Sequence, residues 1–178
     1  RNDEQMVRRL CESFIDNLAT LHTLDYKAAG LGELGRPEGY VERQVTGWAR
    51  RYDNARTDDH PEMEELSAWL LANQPDDCGP ALIHNDYKYD NLMLDAQDLT
   101  RIVAVLDWEM ATIGDPLMDL GNSLAYWIEA DDEGPFQMLR RQPTHQPGML
   151  TRKEVVAYYA EKSSRKIDNF DFYEIYGL

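Results

Sequence analysis

Apolar residues recur every three or four positions near the start of the chain, which is the spacing of one buried helix face. They are Val7, Leu10, Cys11, Phe14, Leu18 and Leu21. This pattern predicts an amphipathic helix over residues 3–22, packed against a core. His22 closes that helix, and we interpret it as a structural histidine.

The next stretch alternates loops and helices. Glycines at positions 30, 32, 35 and 39 predict a loop over residues 27–40, followed by a helix over 41–54. Pro61 suits the first turn of a further helix, where three glutamates lie near the positive end of the helix dipole. The apolar face of that helix is expected to be core.

Three short apolar runs then change the pattern, at residues 81–83, 92–94 and 102–106. Runs this short, separated by polar residues, are typical of strands. The polar stretch 84–91 separates the first two, and Asp95-Ala96-Gln97-Asp98 predicts a turn before the third. The order is therefore strand, polar loop, strand, turn, strand.

The last part of the chain is predicted to be helical again. Asp115 and Pro116 form a helix start, and the buried stripe that follows is Leu117, Leu120, Leu124, Trp127 and Ile128. Asp119 lies beside this stripe, where an unpaired carboxylate would be costly. Residues 130–150 read as a long connection, Thr151 and Glu154 as a capping box, and a last helix is expected near Asp168.

Composition narrows the class of protein. The chain has 178 residues, 43% of them hydrophobic, and four Trp, which suits one compact domain over 1–178. We expect no membrane span, because no apolar run approaches about 20 residues. Two cysteines suggest a reducing compartment, with the cytoplasm as the default. A net charge of −15 opposes binding to nucleic acid or anionic lipid.

The polar loop carries the candidate chemistry, His84-Asn85-Asp86-Tyr87-Lys88-Tyr89-Asp90-Asn91, and Asp107 ends the third apolar run. Transfer of a γ-phosphoryl group needs a carboxylate beside the attacking hydroxyl and oxygen ligands for Mg²⁺. Asp86 is the candidate base, and Asn91 and Asp107 are the candidate metal ligands. One Asn and one Asp suffice, because Mg²⁺ keeps waters and phosphates as its other ligands.

The other polar residues of this region receive lesser roles. Lys88 is placed to neutralise charge on the transferring phosphate. His84 is a catalytic-loop candidate that we expect to brace the loop more than to act as a base. Glu109 is open between a substrate or metal contact and a loop hydrogen bond, and Asp90 is interpreted as a loop residue.

Residues 81–125 resemble the aminoglycoside phosphotransferase and choline kinase family, which shares the protein-kinase fold and phosphorylates small molecules. The resemblance rests on the Asp86 loop, on Asp107-Trp108-Glu109, and on Gly114-Asp115-Pro116-Leu117-Met118-Asp119-Leu120. It implies an α+β, mainly α-helical chain, the C-terminal lobe of a protein-kinase-like fold. It also implies ATP or GTP as the phosphate donor, with Mg²⁺, and a role for Asp119 in holding the catalytic-loop backbone.

A narrower resemblance adds an acceptor. Residues 35–48 and 107–117 are similar to phosphotransferase domains associated with acyl-CoA dehydrogenases. This implies a hydroxyacyl-CoA, although choline and aminoglycosides stay open. Arg43, Arg50 and Arg51 are available for a CoA phosphate, but we favour pairing with surface acids about two to one. Residues 130–150 are expected to border the acceptor.

The small nucleotide-binding lobe of the kinase fold is not recognisable in this sequence, since no glycine-rich hairpin with a following Lys is present. We therefore expect a piece of a longer protein, inactive or nearly so by itself. Two other classes stay open. One is a non-catalytic kinase-like binding module; the more distant one is a metal-dependent phosphohydrolase using His84 and Asp86.

Overall fold

A computed structural model describes residues 3–76 and 78–178. Its helices are α1 (Glu4–Thr23), α2 (Tyr40–Ala55), α3 (Pro61–Ala72), α4 (Pro116–Ala125), α5 (Gly134–Met138), α6 (Arg152–Ser163) and α7 (Asp171–Gly177). Its strands are β1 (Ala81–Ile83), β2 (Leu92–Leu94), β3 (Ile102–Val105) and β4 (Thr112–Gly114), and three single 3₁₀ turns lie between them. The prediction of a mainly helical α+β chain is confirmed.

Helix α1 forms where the apolar spacing predicts it. Asp3 caps it by accepting a hydrogen bond from the Gln5 N–H, and the buried face includes Phe14, Ile15 and Leu18. Helix α1 packs against α6 and β1. The Phe14 ring meets the ring of Trp127, with centroids 5.6 Å apart. The core therefore brings together residues that lie more than a hundred positions apart in the sequence.

Two antiparallel strand pairs surround the polar loop. Strand β1 pairs with β4, Ala81 opposite Gly114, and β2 pairs with β3, Leu92 opposite Val105. Strand β4 was not among the predicted elements. It has three residues, and its Gly114 lies where a Cβ would collide with Tyr40 and Ile83. The predicted strand order is otherwise confirmed, with β3 ending at Val105.

Helix α4 begins as predicted but is shorter than its apolar stripe. The Asp115 carboxylate accepts hydrogen bonds from the Leu117 and Met118 N–H groups, which confirms the predicted cap. The helix ends at Ala125, so the prediction that Trp127 and Ile128 continue it is wrong. Both are buried in the segment that follows, and the Trp127 indole donates to the Leu150 carbonyl.

Two predictions for the C-terminal helices can be compared with the structure. The capping box of Thr151 and Glu154 is present at the start of α6. The last helix begins at Asp171, three positions after Asp168. The segment 130–150 is a connection that also contains the short helix α5. Within the described ranges, no helix has the length and apolar character needed to cross a membrane.

Helices α4 and α7 approach each other closely at Gly121. A Cβ on Gly121 would collide with the main-chain carbonyl of Tyr173, and one on Gly177 would collide with the carbonyl of Gly121. Backbone at this separation cannot yield as a flexible side chain can. The approach of α7 to α4 therefore depends on the absence of side chains at both positions.

Gly121→Ala should destabilise the protein by about 1–3 kcal/mol, the usual cost of forcing an extra carbon into a packed contact. Urea unfolding followed by tryptophan fluorescence measures the change. Gly47→Ala is the matched control, because a Cβ at Gly47 in α2 meets open space. It should stabilise the helix by roughly 0.5–1 kcal/mol. Equal effects of the two variants would contradict the packing described here.

Candidate active site

The polar loop brings three of the predicted site residues into direct contact. The Lys88 Nζ donates to both carboxylate oxygens of Asp86 at 2.8 Å. The Asn91 Nδ2 donates to the Asp86 carboxylate at 2.9 Å and to the Asp86 carbonyl at 2.8 Å. The 3₁₀ turn Tyr89–Asn91 folds the chain back and so makes these contacts possible.

The orientation of Asn91 follows from these bonds. Both hydrogen bonds to Asp86 use the Asn91 amide nitrogen, and among the described residues the side-chain Oδ1 has no hydrogen-bond partner. The Asn91 carbonyl accepts the Leu106 N–H at 2.8 Å. Leu106 directly precedes Asp107, so this bond ties the end of the polar loop to the strand that delivers Asp107.

Asp107 stands exposed two residues after β3 with φ +64°, a left-handed conformation that few residues other than glycine adopt. In the described part of the chain its carboxylate has no hydrogen-bond or ion-pair partner. A hard oxygen from Asn91 and an unpaired carboxylate fit the preferences of Mg²⁺. No three His, Cys, Asp or Glu side chains in the described ranges are grouped as a metal site.

His84 is fully buried and joins the polar loop to the Asp107 strand. Its Nδ1 accepts the Asp86 N–H at 3.2 Å, and its Nε2 donates to the Leu106 carbonyl at 2.8 Å. The Trp108 ring packs on it with centroids 4.8 Å apart. Both ring nitrogens are thus engaged, and the geometry favours the bracing interpretation. Glu109 is exposed in the turn that follows.

Asp119 is fully buried, and its carboxylate holds the start of the polar loop. One oxygen accepts the His84 N–H at 2.7 Å and the other accepts the Asn85 N–H at 2.8 Å. Asn85 itself has φ +65°, so the loop reverses sharply at this point. The expectation that Asp119 holds the backbone of this loop is confirmed.

The histidine that ends α1 completes this buried site. His22 Nε2 lies 3.0 Å from the Asp119 carboxylate, and His22 Nδ1 lies 2.7 Å from the Tyr159 hydroxyl. The structural interpretation of His22 therefore has a partner that sequence reasoning did not name. The sequence does contain a hint of this contact, because a carboxylate beside an apolar stripe, as at Asp119, requires hydrogen-bond donors from other parts of the chain.

Gln142 also supports the polar loop, and sequence reasoning did not identify it. It is 4% exposed; its Oε1 accepts the Tyr89 N–H at 2.9 Å and its Nε2 donates to Asp90 at 2.8 Å. Asp90 is thus a loop residue with a specific partner. No periodicity or motif marks Gln142, because its partners lie more than fifty positions away.

The predicted pairing of arginines with surface acids is wrong for Arg43. Its guanidinium donates to the main-chain carbonyls of Arg36 and Glu38 and so fastens the preceding loop to α2. Arg51 instead lies over the Trp48 ring, 4.6 Å from its centroid. Both contacts are far along the chain from the polar loop.

Comparison with known proteins gives the family context of this site. Residues 1–155 match the model of the phosphotransferase enzyme family. Acyl-CoA dehydrogenase family member 11 of Gallus gallus is 45% identical over 115 residues, covering 64% of this chain and 15% of the relative. Acyl-CoA dehydrogenase family member 10 of Mus musculus is 34% identical over 161 residues, covering 88% and 15%.

A solved structure shows the same fold. The crystal structure of a predicted aminoglycoside phosphotransferase from Ralstonia eutropha superimposes with a TM-score of 0.85 at 28% identity, covering 98% of this chain and 53% of that one. This chain thus spans about half of that protein and less than a sixth of the two dehydrogenase relatives.

Asp119→Asn should destabilise the protein by about 2–4 kcal/mol, because both carboxylate oxygens accept main-chain N–H groups and the amide must turn an NH₂ toward one of them. Urea unfolding measures the loss. Asp58→Asn, an exposed aspartate, serves as the control and should leave the unfolding midpoint unchanged. An Asp119→Asn protein as stable as the control would show that the buried contacts do not hold the loop.

Proposed function

This chain belongs to the phosphotransferase enzyme family, and we propose that it is the catalytic lobe of a small-molecule kinase. In this proposal the γ-phosphoryl group of ATP or GTP moves to the hydroxyl of a small molecule. The observation that carries the proposal is the convergence of Asp86, Lys88 and Asn91 on one loop, which is hydrogen-bonded to Leu106, the residue directly before Asp107. Each of the four side chains has a polar atom suited to this one reaction.

Asp86 is the proposed base. As the acceptor oxygen forms its bond to the γ-phosphorus, the hydroxyl proton passes to the Asp86 carboxylate. The bond between the γ-phosphorus and the bridging oxygen breaks, and the nucleoside diphosphate leaves with that electron pair. The Asn91 amide keeps Asp86 oriented through its 2.9 Å hydrogen bond.

Asn91 Oδ1 and the Asp107 carboxylate are the proposed holders of Mg²⁺. When bound, the ion neutralises phosphate charge in a site that otherwise presents two aspartates to a polyanion. Lys88 supplies the protein's own positive charge. Its hydrogen bonds to Asp86 raise the pKa of Lys88 and so further favour the charged ammonium.

A hydroxyacyl-CoA is the proposed acceptor. The names of the dehydrogenase relatives support this class. A mainly apolar cleft of about 330 Å³, with Leu124, Trp127 and Ile128 in its wall, is large enough to take part of an acyl chain.

The test is nucleotide consumption by the full-length protein with Mg²⁺ and a panel of hydroxyl acceptors that includes hydroxyacyl-CoAs, choline, sugars and aminoglycosides. Asp86→Ala should lower acceptor-dependent kcat by about 10²–10⁴, the usual contribution of a positioned base. Asp58→Ala, which changes an exposed aspartate outside the site, should keep full activity. Absence of turnover across the panel, without binding of Mg²⁺-nucleotide, would instead support a non-catalytic binding module.

Asp107→Asn tests the proposed metal site separately. The variant should weaken binding of Mg²⁺-nucleotide by roughly tenfold or more, since about 1.4 kcal/mol of lost binding is a factor of ten. Titration calorimetry with and without Mg²⁺ measures the loss. Asp98→Asn is the control, because Asp98 belongs to the turn between β2 and β3. If nucleotide binding by Asp107→Asn depended on Mg²⁺ as it does in the wild type, Asp107 would not be a metal ligand.

A further inference from the structure

Lys88 has a second partner besides Asp86. Its Nζ lies 5.0 Å from the centroid of the Tyr126 ring, within the range of a cation–π contact. The ammonium is thus held between the Asp86 carboxylate and an aromatic face. Tyr126 is 40% exposed, so part of this residue is open to solvent.

The fold constrains the backbone on both sides of Tyr126. Tyr126 follows α4 directly, and the helix is anchored near its start by Asp119. After Tyr126, the Trp127 side chain is buried and donates to the Leu150 carbonyl at 2.9 Å. Tyr126 is therefore an exposed aromatic residue on a rigid segment, and the surrounding packing leaves its ring available to Lys88.

We propose that Tyr126 is a positioning residue for Lys88, holding the ammonium beside Asp86 and steadying it when the ammonium turns to the transferring phosphate. The inference rests on the proposed function and adds a residue to it. Lys88 must exchange one anionic partner for another during the reaction, and the ring is a partner that it can keep throughout. The charged or titratable groups that face Lys88 are Asp86, Tyr126 and Asp90.

Two substitutions separate the ring from the hydroxyl. Tyr126→Phe keeps the aromatic face and should retain near wild-type kcat. Tyr126→Leu keeps apolar bulk without the ring and should lower kcat by roughly threefold to tenfold, the range of a partly desolvated cation–π contact. In a Lys88→Ala background, Tyr126→Leu should cause no further loss of kcat. Equal losses of kcat in Tyr126→Leu and Tyr126→Phe would overturn the positioning role. A further loss of kcat from Tyr126→Leu in the Lys88→Ala background would overturn it as well.

A readout that needs no activity tests the contact itself. Competitive acetylation of lysines across a pH series, followed by mass spectrometry, reports how freely each ammonium loses its proton. Lys88 should react several-fold faster in Tyr126→Leu than in Tyr126→Phe. Lys162, which lies 4.9 Å from the Tyr158 ring, is the internal control and should not change. Equal reactivity of Lys88 in both variants would overturn the inference.

The two readouts distinguish failure of the inference from failure of the proposed function. A wild-type protein without transferase activity, but with the expected change in Lys88 labelling, would remove the kinase assignment and keep the Tyr126 contact. An active wild-type protein with unchanged labelling and kcat in Tyr126→Leu would keep the kinase and remove the role of Tyr126.

Discussion

One buried carboxylate organises this molecule. Asp119 is fully enclosed, and a charge in such a place is stable only when donors surround it. Two of its donors are main-chain N–H groups of the polar loop, and the third polar contact is His22 at the end of α1. Because Tyr159 of α6 contacts His22 in turn, three helices and the loop meet at one polar centre inside an apolar core.

The shape of the polar loop follows from this anchor. With the N–H groups of His84 and Asn85 fixed, the chain turns at the left-handed Asn85 and presents Asp86 outward. His84 in turn donates a hydrogen bond to the Leu106 carbonyl. Because Leu106 directly precedes Asp107, this bond connects the anchored loop to the position of Asp107. Left-handed residues on both sides of the site are strained conformations of the kind that rigid surroundings maintain at functional positions.

Much of this could be predicted from the sequence, because local signals decide it. Helix α1, the caps at Asp115 and Thr151, and the grouping of Asp86 with Asn91 all depend on residues close together in the chain. The spacing could not reveal β4, which consists of three residues stabilised by pairing with β1 about thirty positions earlier.

The residues that support the polar loop from distant segments could not be predicted for the same reason. Gln142 and Tyr126 act on the polar loop from distant segments, and each is an ordinary residue in its own sequence neighbourhood. The apolar stripe of α4 also extended the predicted helix too far, because Trp127 and Ile128 are buried by tertiary packing after the helix has ended. Buried residues recur with helical spacing inside a helix, but residues with that spacing can also be buried where the chain is not helical.

In the proposed reaction, phosphate passes to a hydroxyl acceptor and not to water. The most direct measurement is the reaction of full-length protein, Mg²⁺-nucleotide and acceptor in ¹⁸O-labelled water, followed by mass spectrometry of the products. The account predicts one phosphorylated acceptor for each nucleoside diphosphate, without ¹⁸O in the transferred phosphate. Inorganic phosphate carrying ¹⁸O as the sole phosphorylated product would contradict it and indicate a phosphohydrolase.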